Sequence, residues 1–326
     1  MFNANSFRLH PRRFSSWIDI SHAKYGGRVQ KVSVAADFTC PNRDGTKGQL
    51  GCTFCNNAGF TPQYARENPN NIGLQLDTGL EFLRRRYPRT KLWVAYFQAY
   101  SNTYGELDRL IDTYQTALRH RDISGLVIGT RPDCVSDELL DYLAELSERY
   151  LIELELGIES TCDQALIAVN RGHDFACSVD AIERAAARNL SVGAHLLFGL
   201  PGESRDSMVA AAELLSKLPL ASLKFHQLQI VKGTQMANQW RQDPASIPMM
   251  PLDDYLELLA DFVERLNPNI AIQRVGSEVP PSMRLAPDWS LRLSELAPML
   301  TAKLEQRKSW HGQRWKSHCP QIGSTG

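Results

Sequence analysis

With 326 residues, 43% of them hydrophobic, the chain can bury a substantial core, and its length suits either two domains or one α/β barrel with additions. Its 36 basic and 36 acidic side chains cancel, which excludes a global field drawing in nucleic acid or an anionic membrane and leaves only local patches. The opening residues lack the apolar core of a signal peptide, and no later run approaches the ~20 apolar residues of a membrane helix, so a cytoplasmic protein without a membrane partner is expected.

Residues 1–30 read as an N-terminal extension with one short helical pattern over 14–23. A strand is expected over 32–36, followed by a cysteine-bearing loop and a helix over 72–87. From there strands and helices alternate: strand 92–97, helix 107–118, strand 125–129, then a helix opened by Asp137 and Glu138. Strand 152–157 leads to a longer helical section over 162–187, interrupted near Gly172. Strand 192–198, helix 204–215 and strand 222–228 complete the series. Six strands alternating with helices imply a parallel sheet closed or nearly closed, a partial (β/α)6 TIM-like barrel over residues 31–232. Beyond it, Pro244, Pro248 and Pro251 make a break. Residues 233–326 then read as a C-terminal α+β module: helix 253–266, a short strand over 270–272, helix 291–306, and a basic tail interleaved with aromatics. That tail carries Lys303, Arg307, Lys308, Trp310, His311, Arg314, Trp315, Lys316 and His318, a composition suited to phosphates and stacked bases.

Three of the seven cysteines, Cys40, Cys52 and Cys55, fall in one loop directly after the first strand. Glycines 45, 48 and 51 make the loop flexible enough to bring Cys40 back toward the close pair. Four cysteines would suit tetrahedral zinc or an ordinary electron-transfer cluster. Three leave one metal position open to a small molecule, and an open position implies chemistry. An odd count with a close trio also fits a reducing compartment better than a disulfide framework. Cys134, Cys162, Cys177 and Cys319 lie apart and read as plain thiols. The competing class is a zinc-stabilised nucleic-acid-binding module without catalysis.

In parallel α/β barrels the reactive ends are the loops that follow strands. The unusual residues fall there. Gln98, Tyr100, Asn102 and Tyr104 follow the second strand, Thr130-Arg131-Pro132-Asp133 the third, Glu159-Ser160 the fourth, and Gly199-Leu200-Pro201-Gly202-Glu203 the fifth. Asn170-Arg171-Gly172-His173 lies further along, and Lys232-Gly233-Thr234 follows the sixth strand.

The spacing C-x11-C-x2-C, with Phe54 just before the last cysteine, resembles the cluster loop of radical S-adenosylmethionine (SAM) enzymes. The ordered motifs Tyr-Phe-Gln-Ala-Tyr, Gly-Thr-Arg-Pro-Asp-Cys-Val and Asn-Arg-Gly-His-Asp are similar to a bacterial family of radical SAM proteins related to Elongator's catalytic subunit. The resemblance covers nearly the whole chain. It implies a 4Fe-4S cluster on Cys40, Cys52 and Cys55, its fourth iron chelated by SAM, which is cleaved reductively to a 5'-deoxyadenosyl radical. Phe54 matches the aromatic position near the adenine. Gln98 stands in the segment that receives SAM's amino group, where Phe97-Gln98-Ala99 replaces the usual Gly-Gly-Glu. Glu159 matches a ribose-holding position and Arg171 one that pairs with SAM's carboxylate. His195 replaces an Asp of the coproporphyrinogen-dehydrogenase branch, and Gly129 a Glu that contacts the ribose. The resemblance further implies an external electron donor of flavodoxin or ferredoxin type. Two substrate classes follow from it: tRNA at wobble uridines, or a small molecule or peptide.

Overall fold

The structure, a computed structural model, describes residues 7–316; His318 and Cys319 lie outside them. Helix α1 (Trp17–Tyr25) precedes β1 (Arg28–Val34), and after the cysteine loop come α2 (Gln63–Glu67), α3 (Ile72–Arg86), β2 (Thr90–Phe97), α4 (Leu107–Leu118) and β3 (Ile123–Thr130). Alternation continues through α5 (Asp137–Ser147), β4 (Leu151–Glu159), α6 (Asp163–Ala168), α7 (Phe175–Ala187), β5 (Ser191–Phe198), α8 (Arg205–Leu215) and β6 (Ser222–Gln227). The C-terminal part holds β7 (Ile230–Val231), α9 (Gln235–Gln242), α10 (Leu252–Arg265), β8 (Ala271–Arg274), β9 (Arg284–Ala286) and α11 (Leu293–Gln306).

Strands β1 to β6 pair in sequence order, all parallel, and curl into a half-barrel. The sheet does not stop at six. Strand β8, from the segment that reads as a separate module, adds to β6 in parallel, with Ser222 opposite Ala271. A short antiparallel pair, β7 with β9, lies beside it.

Two periodicities build this arrangement. In β4, Leu154 and Leu156 are fully buried under the helices, while Glu153 and Glu155 take the alternate positions facing the barrel interior. Strand β6 repeats the pattern, with Leu223 and Phe225 outward and Lys224 inward. Such strands read as continuous apolar runs only on their outer face.

Strand β1 starts four residues before the expected position and ends two before it. Gln75 of α3 explains the early end. Its side-chain amide takes the N–H of Ala35 at 2.7 Å and donates to the carbonyl of Ala35 at 2.9 Å, replacing the strand partner. Lys31 explains the early start, because its ammonium points inward to carboxylates that the local pattern does not reveal.

The basic segment at the C-terminal end is packed structure, not a solvated tail. Lys303 pairs with Glu257 at 2.8 Å, Arg307 with Glu257, Asp261 and Glu264 at 3.0, 2.6 and 3.1 Å, and Arg314 with Glu264 at 3.0 Å, all on α10. These cations are engaged within the fold, so their composition does not by itself make a phosphate site. His311 is wholly buried, its Nδ1 accepting the Ser15 N–H at 3.2 Å, and the carbonyl of Ser15 accepts the N–H of Ile272 of β8 at 2.8 Å.

Burial pushes the His311 imidazole down to about 3. Its folded pKa lies below the ordinary value of about 6.5, so the unfolded chain takes up the proton first, and stability present above that value is lost as the pH falls toward 3. Between pH 7 and pH 5 this one group should remove about 2 kcal/mol of folding stability. Urea unfolding at both pH values should show a smaller loss, by about that amount, in His311→Gln; equal losses in the two proteins would refute the assignment.

Candidate active site

The carboxyl ends of the strands and the cysteine loop enclose a cavity of about 200 Å³. Its wall gathers the residues assigned by resemblance to cluster and SAM, Cys40, Cys52, Phe54, Cys55, Gln98, Glu159, Arg171 and His195, whereas Asn102, Tyr104, Asp133, His173 and Lys232 lie off it. The assigned residues span more than 150 positions and meet at one end of the sheet: the cysteine loop follows β1, Gln98 follows β2, Glu159 ends β4, Arg171 lies on the connection after it, and His195 belongs to β5.

The cysteine loop is tied down at several points. Gly51, at φ +74°, sends its N–H to Asn42 O at 2.7 Å, and Arg43 donates to Cys55 O at 2.8 Å. Thr53 N–H donates to Val169 O at 3.0 Å, while Met236 N–H of α9 donates to Thr53 O at 2.9 Å. Asn42 and Asn170 clasp the loop from both sides, Asn42 Nδ2 reaching Asn170 O and Asn170 Nδ2 reaching Gly51 O at 2.9 Å. A long, glycine-broken loop is thereby held against the barrel without a disulfide, and the described cysteines are all free thiols.

Cys52 is buried, and its sulfur accepts from Asn42 Nδ2 at 3.7 Å and from Arg171 Nη1 at 3.5 Å. Burial, then the neighbouring Cys52, pushes the Cys55 thiol up to about 11. Among the described residues no group of three or more His, Cys, Asp or Glu side chains is placed to hold a single metal ion, although all three cysteines line the cavity.

Arg171 is buried and donates to Gly157 O, with Glu159 at 3.6 Å. A Cβ on Gly157 would stand 2.7 Å from Glu159 Oε1 and 2.9 Å from Arg171 Nη2, so the pair requires glycine there. Arg171 Nε and Arg131 Nη1 are buried donors without partners among the described residues, although Arg131 holds Asp133 at 2.8 Å. Two guanidiniums on one cavity wall with unused N–H groups suit an anionic group. Glu159 and Tyr100, both lining the cavity, sit at φ +65° and +67°, a region that non-glycine residues rarely occupy. Gln98 is half-buried, and its side chain makes no hydrogen bond among the described residues.

The floor of the cavity was not legible in the motifs. Glu155, 1% exposed, receives hydrogen bonds from Lys31 of β1, Lys224 of β6 and His195 of β5, the last at 3.0 Å. Lys224 also donates to Tyr96 Oη at 3.1 Å, and the His195 and His226 rings lie 5.2 Å apart. Burial opposes the Glu155 charge, but Lys224 and Lys31 bring its pKa well below the ordinary carboxylate range. The available signal was charged residues at alternate positions in strands whose other face is wholly apolar.

Replacing Glu155 with Gln leaves the buried Lys224 ammonium without its carboxylate and Lys31 with only Glu153, at 3.9 Å. Breaking such a buried pair costs about 3–5 kcal/mol. Urea unfolding of Glu155→Gln should show a loss of that order, and a loss below about 1 kcal/mol would mean that the lysines find other partners.

The radical SAM superfamily model matches residues 45–215, and the model of the radical SAM C-terminal domain matches residues 220–306. The chain therefore belongs to the radical SAM superfamily, in its Elongator-like branch, and is an enzyme of that class. Protein YhcC of Escherichia coli K12 is 37% identical over 267 residues, covering 82% of this chain and 84% of that protein. A tRNA uridine(34) acetyltransferase of Dehalococcoides mccartyi is 27% identical over 179 residues, 54% of this chain but only 38% of its own length. Among solved structures, Elp3 of Methanocaldococcus infernus aligns with a TM-score of 0.65 at 16% identity, over 87% of this chain and 64% of that one, and it supports the fold.

Proposed function

We propose that the cavity binds a 4Fe-4S cluster through Cys40, Cys52 and Cys55, with SAM beside it and an external donor of flavodoxin or ferredoxin type supplying electrons. The observation that carries this reading is the meeting of three free thiols and two unpartnered guanidinium donors on one cavity at the strand ends. The donor set fits. Thiolates are the ligands of iron–sulfur clusters, and buried arginine N–H groups are suited to a carboxylate such as that of SAM. A cluster held by these cysteines would supply the single electron that splits the sulfonium bond of SAM into methionine and a 5'-deoxyadenosyl radical, the chemistry of hydrogen abstraction.

The chain's own residues bind, orient and exclude water. Arg171, locked by Gly157 O and Glu159, holds the carboxylate; Phe54 provides an apolar surface for the adenine. Glu159 accepts from ribose hydroxyls. Gln98, with no partner among the described residues, takes the amino group through its side-chain carbonyl. His195, the fifth residue assigned to SAM by resemblance, is fixed by Glu155 on the floor.

For the substrate, the reading is tRNA at a wobble uridine, supported by the similarity to a tRNA uridine(34) acetyltransferase. Binding should favour a folded tRNA over an RNA duplex, because unstacked loop bases can reach a buried cavity, and affinity should fall steeply with salt. Equal weak binding of both RNAs across a salt series would turn the reading to a small molecule or peptide.

Anaerobic purification should give about four irons and four sulfides per chain, and dithionite with SAM should release 5'-deoxyadenosine slowly without substrate. Cys40→Ala, Cys52→Ala and Cys55→Ala should each lose the visible charge-transfer absorption, while Cys134→Ala, Cys162→Ala and Cys177→Ala keep it. A single tightly held zinc, or an intact SAM-responsive cluster in Cys52→Ala, would overturn the assignment.

A further inference from the structure

The cavity has a second polar end. On its floor, His195 Nε2 lies 3.0 Å from Glu155 Oε2. That carboxylate also receives Lys31 and Lys224, and an ionised carboxylate only accepts. The hydrogen in the His195–Glu155 bond therefore sits on Nε2. Nδ1 is left as an acceptor with no partner among the described residues, on a side chain that lines the cavity. Beside it, at a ring separation of 5.2 Å, His226 buries an Nε2 that has no partner either. Burial holds both imidazoles below their ordinary pKa, aided by Lys224 at His195 and by His195 at His226. Lys31 and Lys224 are matched by Glu153 and Glu155, while Arg274 of β8 acts on Lys224 and His226 as a further positive charge; the ring nitrogens themselves, as acceptors, offer an anion no hydrogen.

A fold needs neither feature. Lys31 and Lys224 already engage Glu155 without His195, and a buried ring nitrogen left unsatisfied costs about 1–3 kcal/mol unless something binds it. The geometry points to a substrate seat: His195, oriented by Glu155, and His226 together receive an uncharged group of the substrate through its N–H or O–H donor, and His195 faces the substrate rather than SAM. This rests on the proposed function for the identity of the cavity, not for the state of the histidines.

The test uses anaerobically reconstituted full-length protein labelled with 15N at histidine, with His195→Gln and His226→Gln assigning the signals. Three probes share one ring: uracil, with N–H donors and no charge; 1,3-dimethyluracil, without donors; and orotate, with donors and a carboxylate. His195 should show a pyridine-type Nδ1 and a pyrrole-type Nε2. Uracil should shift the Nδ1 signal, 1,3-dimethyluracil should not, and orotate should bind more weakly than uracil. Loss of the hydrogen bond in His195→Gln should weaken uracil binding about tenfold. A pyrrole-type Nδ1, no shift with uracil, or an equal shift with either of the other probes would overturn the seat. Iron and SAM cleavage measured on the same sample separate the two readings. Absent iron with the expected histidine signals strikes the cluster alone, and four irons with a failed histidine result strikes the seat alone.

Discussion

One buried carboxylate, Glu155, holds together strands that the backbone ladder does not. The sheet runs from β1 to β8 without pairing its two ends, so hydrogen bonds between neighbours leave the half-barrel open. Across the interior, Lys31 of β1 reaches both Glu155 of β4 and Gln273 of β8, the latter at 2.9 Å, and Lys224 of β6 reaches Glu155 from the other side. Helix α1, which touches both β1 and β8, spans the same gap from outside. A hydrophobic plug would fill this space with comparable or greater stability. The polar network instead fixes the depth and direction of the groups that line the cavity above it.

That fixed floor gives the upper wall something to be built on. Glu155 orients His195, while two residues further along β4 the carbonyl of Gly157 receives Arg171, and Glu159 ends the strand in a left-handed conformation beside it. A single strand therefore sets the lower and upper limits of the cavity. The 169–171 turn that carries Arg171 also anchors the cysteine loop through Val169 O and Asn170, so the guanidinium and Cys52 are positioned by the same few residues. Of the two left-handed residues, Glu159 ends a paired strand beside Arg171, and the exposed Tyr100 donates its N–H to Asn57 Oδ1 at 3.3 Å.

The parts legible in the sequence were those whose signal is local. Three cysteines in one loop, residues directly after strands, and apolar periodicity all lie within short windows; the periodicity located the strands and helices, and the cysteines line the cavity at the strand ends. The floor escaped notice because Glu153, Glu155, Lys31 and Lys224 are meaningful only as partners across the barrel, up to 124 positions apart. The C-terminal segment misled for the same reason. Its Lys303, Arg307 and Arg314 read as free cations when taken alone, whereas their carboxylates wait on α10, more than forty residues earlier. The seventh strand was read as part of a separate module because four residues carry no mark of which strand they will join.

The departures from the family pattern also have a physical account in this fold. A Cβ at Gly129 would stand 3.1 Å from Phe97 O, so a side chain there would require the neighbouring strand end to give by a few tenths of an ångström. Gln98 adds no charge. Among the described residues lining the cavity, the carboxylates are Glu155 and Glu159, and Glu155 is already claimed by two lysines and a histidine. Glu159 is then the carboxylate on the upper wall, and it stands 3.6 Å from Arg171. In the proposed reading the two would have to share their charge between each other and SAM, whose carboxylate needs the arginine and whose ribose needs the glutamate. A Cβ at Gly157 would stand 2.7 Å from Glu159 Oε1 and 2.9 Å from Arg171 Nη2, so glycine leaves both side-chain ends the room that such sharing needs.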